Sequence, residues 1–145
     1  MMKIVKGGVT KAKGFEAAGV EANIKYQGRT DMAIIFSKEP CGAAGTFTTN
    51  VAKAAPVTWD QKIVKEGKAA QAIIVNSGIA NACTGAEGYG YCKDTADAAA
   101  KELGISADSV LLGSTGVIGK QLPIDRTQAG VKMLAEAKSD TVQAG

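Results

Sequence analysis

Two stretches of the sequence share one construction, and together they constrain the fold more than any other feature. Each begins with a strand-like apolar run, continues through a polar loop that contains glycine, and ends in a long amphipathic segment. The loops are NSGIANACTGAEG at 76–88 and GSTGVIGKQLP at 113–123. Strand–loop–helix units in succession predict a layered α/β fold with helices packed on a mixed sheet.

The strands of these two units are predicted at AAQAIIVNS (69–77) and SVLLGS (109–114). Four consecutive apolar residues at 72–75 predict that the first of them is buried on both faces. The helices are predicted at 88–104 and 122–138, with Gly104 ending the first and Pro123 in the first turn of the second. Their apolar stripes are Cys92, Ala96, Ala99 and Leu103, and Ile124, Val131, Leu134 and Ala135.

The first half of the chain predicts further strands at 30–37, 45–50 and 54–59, the last with Pro56 at an edge or a strand start. Asp60 is expected to cap a short helix, QKIVKE, which Gly67 ends. The segment from Lys6 to Gln27 is rich in glycine and alanine and weakly periodic, which predicts a loop.

The C-terminal stretch SDTVQAG carries a possible helix start. Asp140 stands three residues before Gln143, a spacing that can form a capping box. A frayed tail is the alternative. If the cap is real, residues 1–145 are one domain of something longer.

Composition excludes several classes of function. The net charge of +3 comes without a basic run, so we expect no nucleic-acid partner. Every apolar run is shorter than the ~18 residues that span a bilayer, and MMKIVKGGVT lacks the apolar stretch of a signal peptide. We therefore expect a cytoplasmic chain with no membrane partner, no metal and no cofactor.

The chain contains no histidine, so it cannot complete a Ser-His-Asp or Cys-His site by itself. A nucleophile must be activated by another base or lie on another polypeptide. The cysteines Cys41, Cys83 and Cys92 are odd in number and lack metal-ligand spacing. We expect them to be buried, structural thiols without a disulfide.

Phosphate binding is one interpretation of the second loop. A P-loop requires glycine where this chain has Ser114, and a hydroxyl residue where it has Gln121. Gly85, Gly88 and Gly90 are spaced in the reverse of a dinucleotide fingerprint. Both signals are therefore weak.

An oxyanion hole is the other interpretation. A threonine hydroxyl at Thr115 and an amide at Gly116 are adjacent donors at a strand end. Such donors contribute roughly 3 to 4 kcal/mol each in other enzymes. The spacing alone is not specific, because glycines in a loop can simply form tight turns.

Five ordered stretches carry a resemblance to a known family. They are GFEAAGVEANIK, AAGTFTTN, AAPVTW, VNSGIANACTGAEG and LLGSTGVIGKQLPID, and they cover nearly the whole chain. In them the sequence resembles the N-terminal part of the ornithine acetyltransferase family, the bifunctional glutamate N-acetyltransferases of arginine biosynthesis.

The resemblance implies a precursor that cuts itself before a threonine into an α and a β chain. That threonine becomes the β-chain nucleophile, takes acetyl from N-acetylornithine and passes it to glutamate; some members also accept acetyl-CoA. Thr115 and Gly116 match the family's oxyanion-hole pair. The implied fold is an αββα sandwich similar to self-processing aminopeptidases, and the implied assembly is an α2β2 heterotetramer.

The sequence departs from the family's pattern in two respects. The family commonly has Asn where this chain has Ile79. The family's cleavage motif, its nucleophilic threonine and a Thr-Thr-Asp stretch are absent, so we expect most of an α chain that is inactive alone. A related self-processing peptidase and a non-catalytic domain with a glycine-rich ligand loop remain as alternatives.

Overall fold

A computed structural model describes Ile4 and residues 7–145 of the chain. Its strands are β1 (Phe15–Val20), β2 (Met32–Cys41), β3 (Ala70–Asn76) and β4 (Val110–Ser114). Its helices are α1 (Ala55–Lys65), α2 (Gly85–Leu103) and α3 (Ile124–Ala137), with short 3-10 turns at Val9–Lys11 and Ala107–Ser109.

The strands form one mixed sheet in the order β1-β2-β3-β4. The first two pairs are antiparallel, and β3 pairs with β4 in parallel. A parallel pair needs a crossover connection, and α2 supplies it. The register places Asn76 opposite Ser114, so the loops after β3 and β4 leave the same edge of the sheet side by side.

Helices α2 and α3 pack on one face of the sheet, which confirms the layered α/β prediction. Alternate side chains of β2, β3 and β4 form a core with apolar residues of α2 and α3. The most buried members include Met32, Ile34, Ile74, Val110, Ala96, Ala99, Val131 and Leu134. The described residues thus form one helix layer on one sheet.

The opposite face of the sheet is open. Ile73 and Val75 are each 39% exposed there, so the prediction that β3 is buried on both faces is wrong within this chain. Successive side chains of a strand lie on opposite faces, and the helices cover only one of them. The open face is nonetheless apolar, since Phe15, Ile35 and Leu111 also line it.

The two long helices lie close to their predicted positions. Gly104 adopts a left-handed conformation (φ 68°) and donates its amide to the Ala100 carbonyl, which ends α2 as expected. Pro123 stands directly before α3 instead of inside its first turn. In the described part of the chain, no helix is long and apolar enough to cross a membrane.

Several predictions for the first half are wrong. Residues 54–59 begin α1 instead of forming a strand, because the fixed φ of Pro56 suits a first helical turn. Asp60 therefore lies inside that helix and does not cap it. Residues 45–50 form no regular structure. β1 lies within the segment predicted as loop, of which Lys6 is outside the described residues.

The predicted helix start at Asp140 is also absent from the described structure. Residues 141–144 form a turn, with the Ala144 amide donating to the Thr141 carbonyl. Just before it, Ser139 exchanges two backbone hydrogen bonds with Ala17 on β1. The Asp140 carboxylate lies 3.6 Å from Lys38 Nζ, so it forms an ion pair and caps no helix.

Candidate functional site

The segments that follow β3 and β4 form one unit, which we call the first loop (76–84) and the second loop (114–121). The parallel pairing of the strands continues into them through a bridge between Ile79 and Val117. The Ala80 amide donates to the Val117 carbonyl at 2.9 Å, and the Val117 amide donates to the Gly78 carbonyl at 3.2 Å. The two loops therefore hold each other in register.

Ser114 joins the two loops through its side chain. Its hydroxyl donates to the Ile79 carbonyl at 3.2 Å and accepts a hydrogen bond from the Asn81 amide at 2.9 Å. In the sequence, Ser114 stands out as a departure from a P-loop and gives no sign of this bridging position. Its observed role is to fix the start of the second loop against the first.

Two buried asparagines organise the first loop. Asn81 Nδ2 donates to the Gly88 carbonyl at 2.7 Å, and Asn81 Oδ1 accepts from the Thr84 hydroxyl at 2.7 Å. Asn76 Nδ2 donates to the Ile79 carbonyl at 2.8 Å. Sequence reasoning missed both residues, although an amide side chain next to a buried strand is a signal for such a network.

Position 116 requires glycine because of its backbone conformation and its contact with the first loop. Its φ of 132° is a conformation that side-chain-bearing residues rarely adopt, and a Cβ there would collide with the carbonyl group of Gly78. The close approach of the two loops thus depends on glycine at this position.

Thr115 and Gly116 present two donors to solvent. The Thr115 amide donates to the Asn76 carbonyl at 3.0 Å, so the backbone is anchored while the residue is exposed. Within the described residues, neither the Thr115 hydroxyl nor the Gly116 amide makes a hydrogen bond. The two predicted site residues are thus exposed neighbours with free donors, and donors of this kind are what an oxyanion hole requires.

Ile79, the departure in the first loop, contributes its backbone to the site and its side chain to the core. The side chain is 2% exposed, whereas the carbonyl accepts from both Asn76 and Ser114. The isoleucine therefore adds apolar contact beneath the loops and leaves their hydrogen bonds in place.

Helix α1 supports β4 along the outer edge of the sheet. Trp59 Nε1 donates to the Val110 carbonyl at 2.9 Å, and Asp60 Oδ1 accepts from the Leu112 amide at 2.9 Å. Burial raises the pKa of Asp60 to about 6, although the Leu112 hydrogen bond opposes the shift. These two side chains satisfy edge groups of β4 and fix the strand that leads into the second loop.

The three cysteines occupy different environments. Cys92 is buried in the core, and burial together with the Asp60 carboxylate raises the pKa of its thiol to about 12. Cys41 is half-buried, whereas Cys83 is exposed at the end of the first loop with φ 57°. A structural role fits Cys92, but the expectation of a buried thiol is wrong for Cys83. Among the described residues, no three His, Cys, Asp or Glu side chains form a cluster able to hold a metal ion.

Known proteins with similar sequences identify the family to which this chain belongs. A layered α/β architecture with two joined loops at the ends of parallel strands defines the class of protein, an α/β protein with a candidate site at one sheet edge. The profile of the ArgJ family matches residues 16–144, and the chain belongs to that family. It corresponds to the N-terminal portion of family members.

Two curated relatives, each called arginine biosynthesis bifunctional protein ArgJ, illustrate the extent of the match. The Gloeobacter violaceus protein is 47% identical over 137 residues, covering 94% of this chain and 34% of the relative. The Thermotoga neapolitana protein is 52% identical over 121 residues, covering 83% of this chain and 30% of the relative. The chain therefore spans about a third of the length of these relatives.

Two crystal structures share the fold. The ArgJ protein of Bacillus halodurans superimposes with a TM-score of 0.88 at 37% identity, covering 95% of this chain and 71% of that chain. Ornithine acetyltransferase of Mycobacterium tuberculosis, complexed with ornithine, gives a TM-score of 0.91 at 43% identity. That match covers 96% of this chain and 75% of that chain. The agreement confirms the predicted fold class and the family resemblance.

Proposed function

We propose that this chain is the α-chain portion of an acetyltransferase of arginine biosynthesis, and that Thr115 and Gly116 form its oxyanion hole. The enzyme moves acetyl from N-acetylornithine to glutamate. The observation that carries the proposal is the pair of free donors on the exposed second loop of an ArgJ-family chain. In this proposal the chain stabilises charge, and the nucleophile comes from a β chain.

The reaction passes twice through a tetrahedral species. The β-chain threonine hydroxyl attacks the acetyl carbonyl of N-acetylornithine, its own amine takes the proton, and the carbonyl oxygen becomes negative. The Thr115 hydroxyl and the Gly116 amide donate to that oxygen. Ornithine leaves with the proton, and the acetyl group remains as a threonine ester. The amine of glutamate then attacks the ester and gives a proton to the threonine amine, and the same donors bind the new oxyanion. The ester C–O bond breaks, the threonine oxygen takes the proton back as a hydroxyl, and N-acetylglutamate leaves.

The open face of the sheet supports the β chain as the partner. Ile73 and Val75 are partly exposed there, next to the apolar side chains of Ile35 and Leu111. A contiguous apolar sheet face is normally covered by another layer. A β-chain sheet packed on it completes the αββα sandwich and brings a nucleophile to the edge where the second loop begins. The family resemblance further implies an α2β2 heterotetramer, which we propose as the assembly.

Replacement of Thr115 tests the oxyanion hole. In the full-length enzyme we expect Thr115→Ala to lower kcat by ~10²-fold, because one of two oxyanion donors is lost. The hydroxyl makes no hydrogen bond within the described residues, so thermal unfolding should change little. Thr115→Ser is the matched control, since it keeps a hydroxyl at the same atom. A near-normal kcat in Thr115→Ala would remove the assignment.

The 145-residue chain should itself be inactive. It lacks histidine and therefore lacks the usual base for a serine, threonine or cysteine nucleophile. Co-expression with a β chain should restore transfer from N-acetylornithine to glutamate, measured as N-acetylglutamate formed. Turnover by the purified chain without a partner would contradict the proposed division of roles.

A further inference from the structure

The connection between β1 and β2 is a loop whose shape is fixed by one buried carboxylate. Asp31 is 4% exposed, and its two oxygens accept from the Ala22 and Ile24 amides at 2.7 Å each. The Ile24 side chain is inserted into the core at 2% exposure. These anchors hold the backbone, so the exposed residues that follow Ile24 start from a defined position.

Those exposed residues form what we call the cationic cluster: Lys25, Tyr26 and Arg29. Lys25 Nζ lies 4.7 Å from the centroid of the Tyr26 ring, and Arg29 Cζ lies 4.3 Å from the same centroid. Neither cation forms a salt bridge with a carboxylate in the described part of the chain. A hydrogen bond from Lys25, together with the two positive charges, lowers the pKa of Tyr26. The cluster is therefore a small positive surface without an internal counter-charge.

The cluster lies beside the candidate oxyanion hole. A Cβ placed on Gly78 would lie 3.0 Å from Lys25 Cβ, so Lys25 packs against the first loop at that glycine. The Gly78 carbonyl in turn contacts Gly116 and accepts from the Val117 amide. In space, only the backbone of Gly78 lies between Lys25 and Gly116. Arg126 Nη1 adds a third positive charge nearby, since it donates to the Asn23 carbonyl at 2.7 Å.

We propose that the cationic cluster recruits the acetyl acceptor, a dicarboxylate amino acid, to the oxyanion site and favours it over the acetyl donor. This inference rests on the proposed function. At neutral pH glutamate carries two carboxylates and one ammonium group, whereas N-acetylornithine carries one of each and has no net charge. Fixed positive charges next to a site raise the local concentration of an anion and leave that of a neutral zwitterion nearly unchanged.

The test removes the two charges and separates KM from kcat. In the full-length enzyme, Lys25→Gln/Arg29→Gln should raise the KM for glutamate roughly threefold to tenfold at low ionic strength. The difference should shrink in about 0.5 M salt, because exposed charges are screened within a few ångströms there. The kcat and the KM for N-acetylornithine should each change by less than about twofold.

The matched control is Lys101→Gln/Lys132→Gln, which removes the same net charge from exposed positions on α2 and α3. An equal rise in the glutamate KM of this control would assign the effect to net charge and overturn the role of the cluster. An unchanged glutamate KM in the cluster variant would also overturn it. If that variant instead loses its β chain in size-exclusion chromatography, the cations contact protein and not substrate, which again contradicts the inference. Absence of transfer by the unaltered enzyme would reject the proposed function itself.

Discussion

The first and second loops have the same construction in the sequence, but the structure buries one and exposes the other. Ile79, Ala80, Asn81 and Thr84 of the first loop are buried, whereas residues 115–121 of the second loop are all exposed. The first loop satisfies its polar groups with its own asparagines. The second loop leaves two donors free and obtains its rigidity from the first. One loop is thus a support, and the other presents the donors.

Because of this difference, we expect mutations in the two loops to have different consequences for folding and for activity. A change in the first loop removes buried hydrogen bonds, so it should lower the free energy of unfolding. A change at the tip of the second loop removes exposed groups, so it should lower kcat with little effect on folding. Contacts between the loops, at Gly78 and Gly116 above all, should affect both quantities.

Gly116→Ala should have the largest effect. The added methyl group collides with the Gly78 carbonyl and occupies a strained φ of 132°, so the second loop must move away from the first. We expect kcat of the full-length enzyme to fall by about 10²-fold to 10³-fold as one oxyanion donor is displaced.

Gly119→Ala is the matched control for that variant. Gly119 also has a positive φ (73°), but a Cβ there meets nothing within 4 Å. It should cost about 1 kcal/mol of stability from backbone strain and leave kcat nearly unchanged. Equal losses of kcat in both variants would show that loop strain in general, and not the contact between the loops, limits activity.

Asn81→Ala should have the next largest effect, on stability. The substitution leaves the buried Thr84 hydroxyl and Gly88 carbonyl without their partner, at a cost of about 2 to 4 kcal/mol. Chemical denaturation of this chain measures it. Asn50→Ala, at an exposed asparagine, should stay within about 0.5 kcal/mol. If the two variants unfold at the same denaturant concentration, the first loop is not a support.

Asp60→Asn should have a smaller, pH-dependent effect on the strand beneath the second loop. The folded-state pKa is raised from 3.8 to about 6, so between these values the folded chain binds more protons than the unfolded chain. Stability therefore falls as pH rises through this window. The asparagine cannot ionise and should remove that slope, a difference of roughly 1 to 2 kcal/mol at pH 7 after allowance for partial exposure. A pH slope that persists in Asp60→Asn would assign it to another group.

The sequence predicted the parts of the fold whose signals are local. β2, β3, β4, α2 and α3 follow from apolar periodicity and from a glycine or proline at their ends. It failed at β1, where Ala17, Ala18 and Gly19 give almost no periodic signal and the strand depends on pairing with β2. It failed at residues 54–59 because Pro56 is compatible with both a strand start and a first helical turn.

The candidate site also has parts that the sequence predicts and parts that only the structure shows. Thr115 and Gly116 are neighbours in the chain, so their adjacency could be predicted. The hydrogen bonds between Ser114 and Asn81 join residues 33 positions apart, and only the parallel register of β3 and β4 brings them together. The cationic cluster likewise reaches the second loop through packing against Gly78, which no local pattern encodes.

Cys83→Ser should have the smallest effect, and it tests whether the first loop acts only as a support. Cys83 is the exposed residue of the first loop and carries a free thiol. If that loop is only a support, an exposed thiol on it is dispensable, so kcat should be unchanged. A serine should also accept the left-handed φ of 57° about as well as cysteine does.

Cys92→Ser is the informative contrast to Cys83→Ser, because the buried Cys92 thiol packs in the core and accepts from Asn81 Nδ2 at 3.4 Å. It should lose about 1 to 3 kcal/mol of stability and retain acetyl transfer. Replacement of Cys41, Cys83 and Cys92 together should likewise retain transfer with a similar loss of stability. Loss of transfer in a folded Cys83→Ser enzyme would instead indicate cysteine chemistry on the first loop. In that case the first loop would carry a reacting group instead of acting only as a support, and the threonine-based mechanism would have to be replaced.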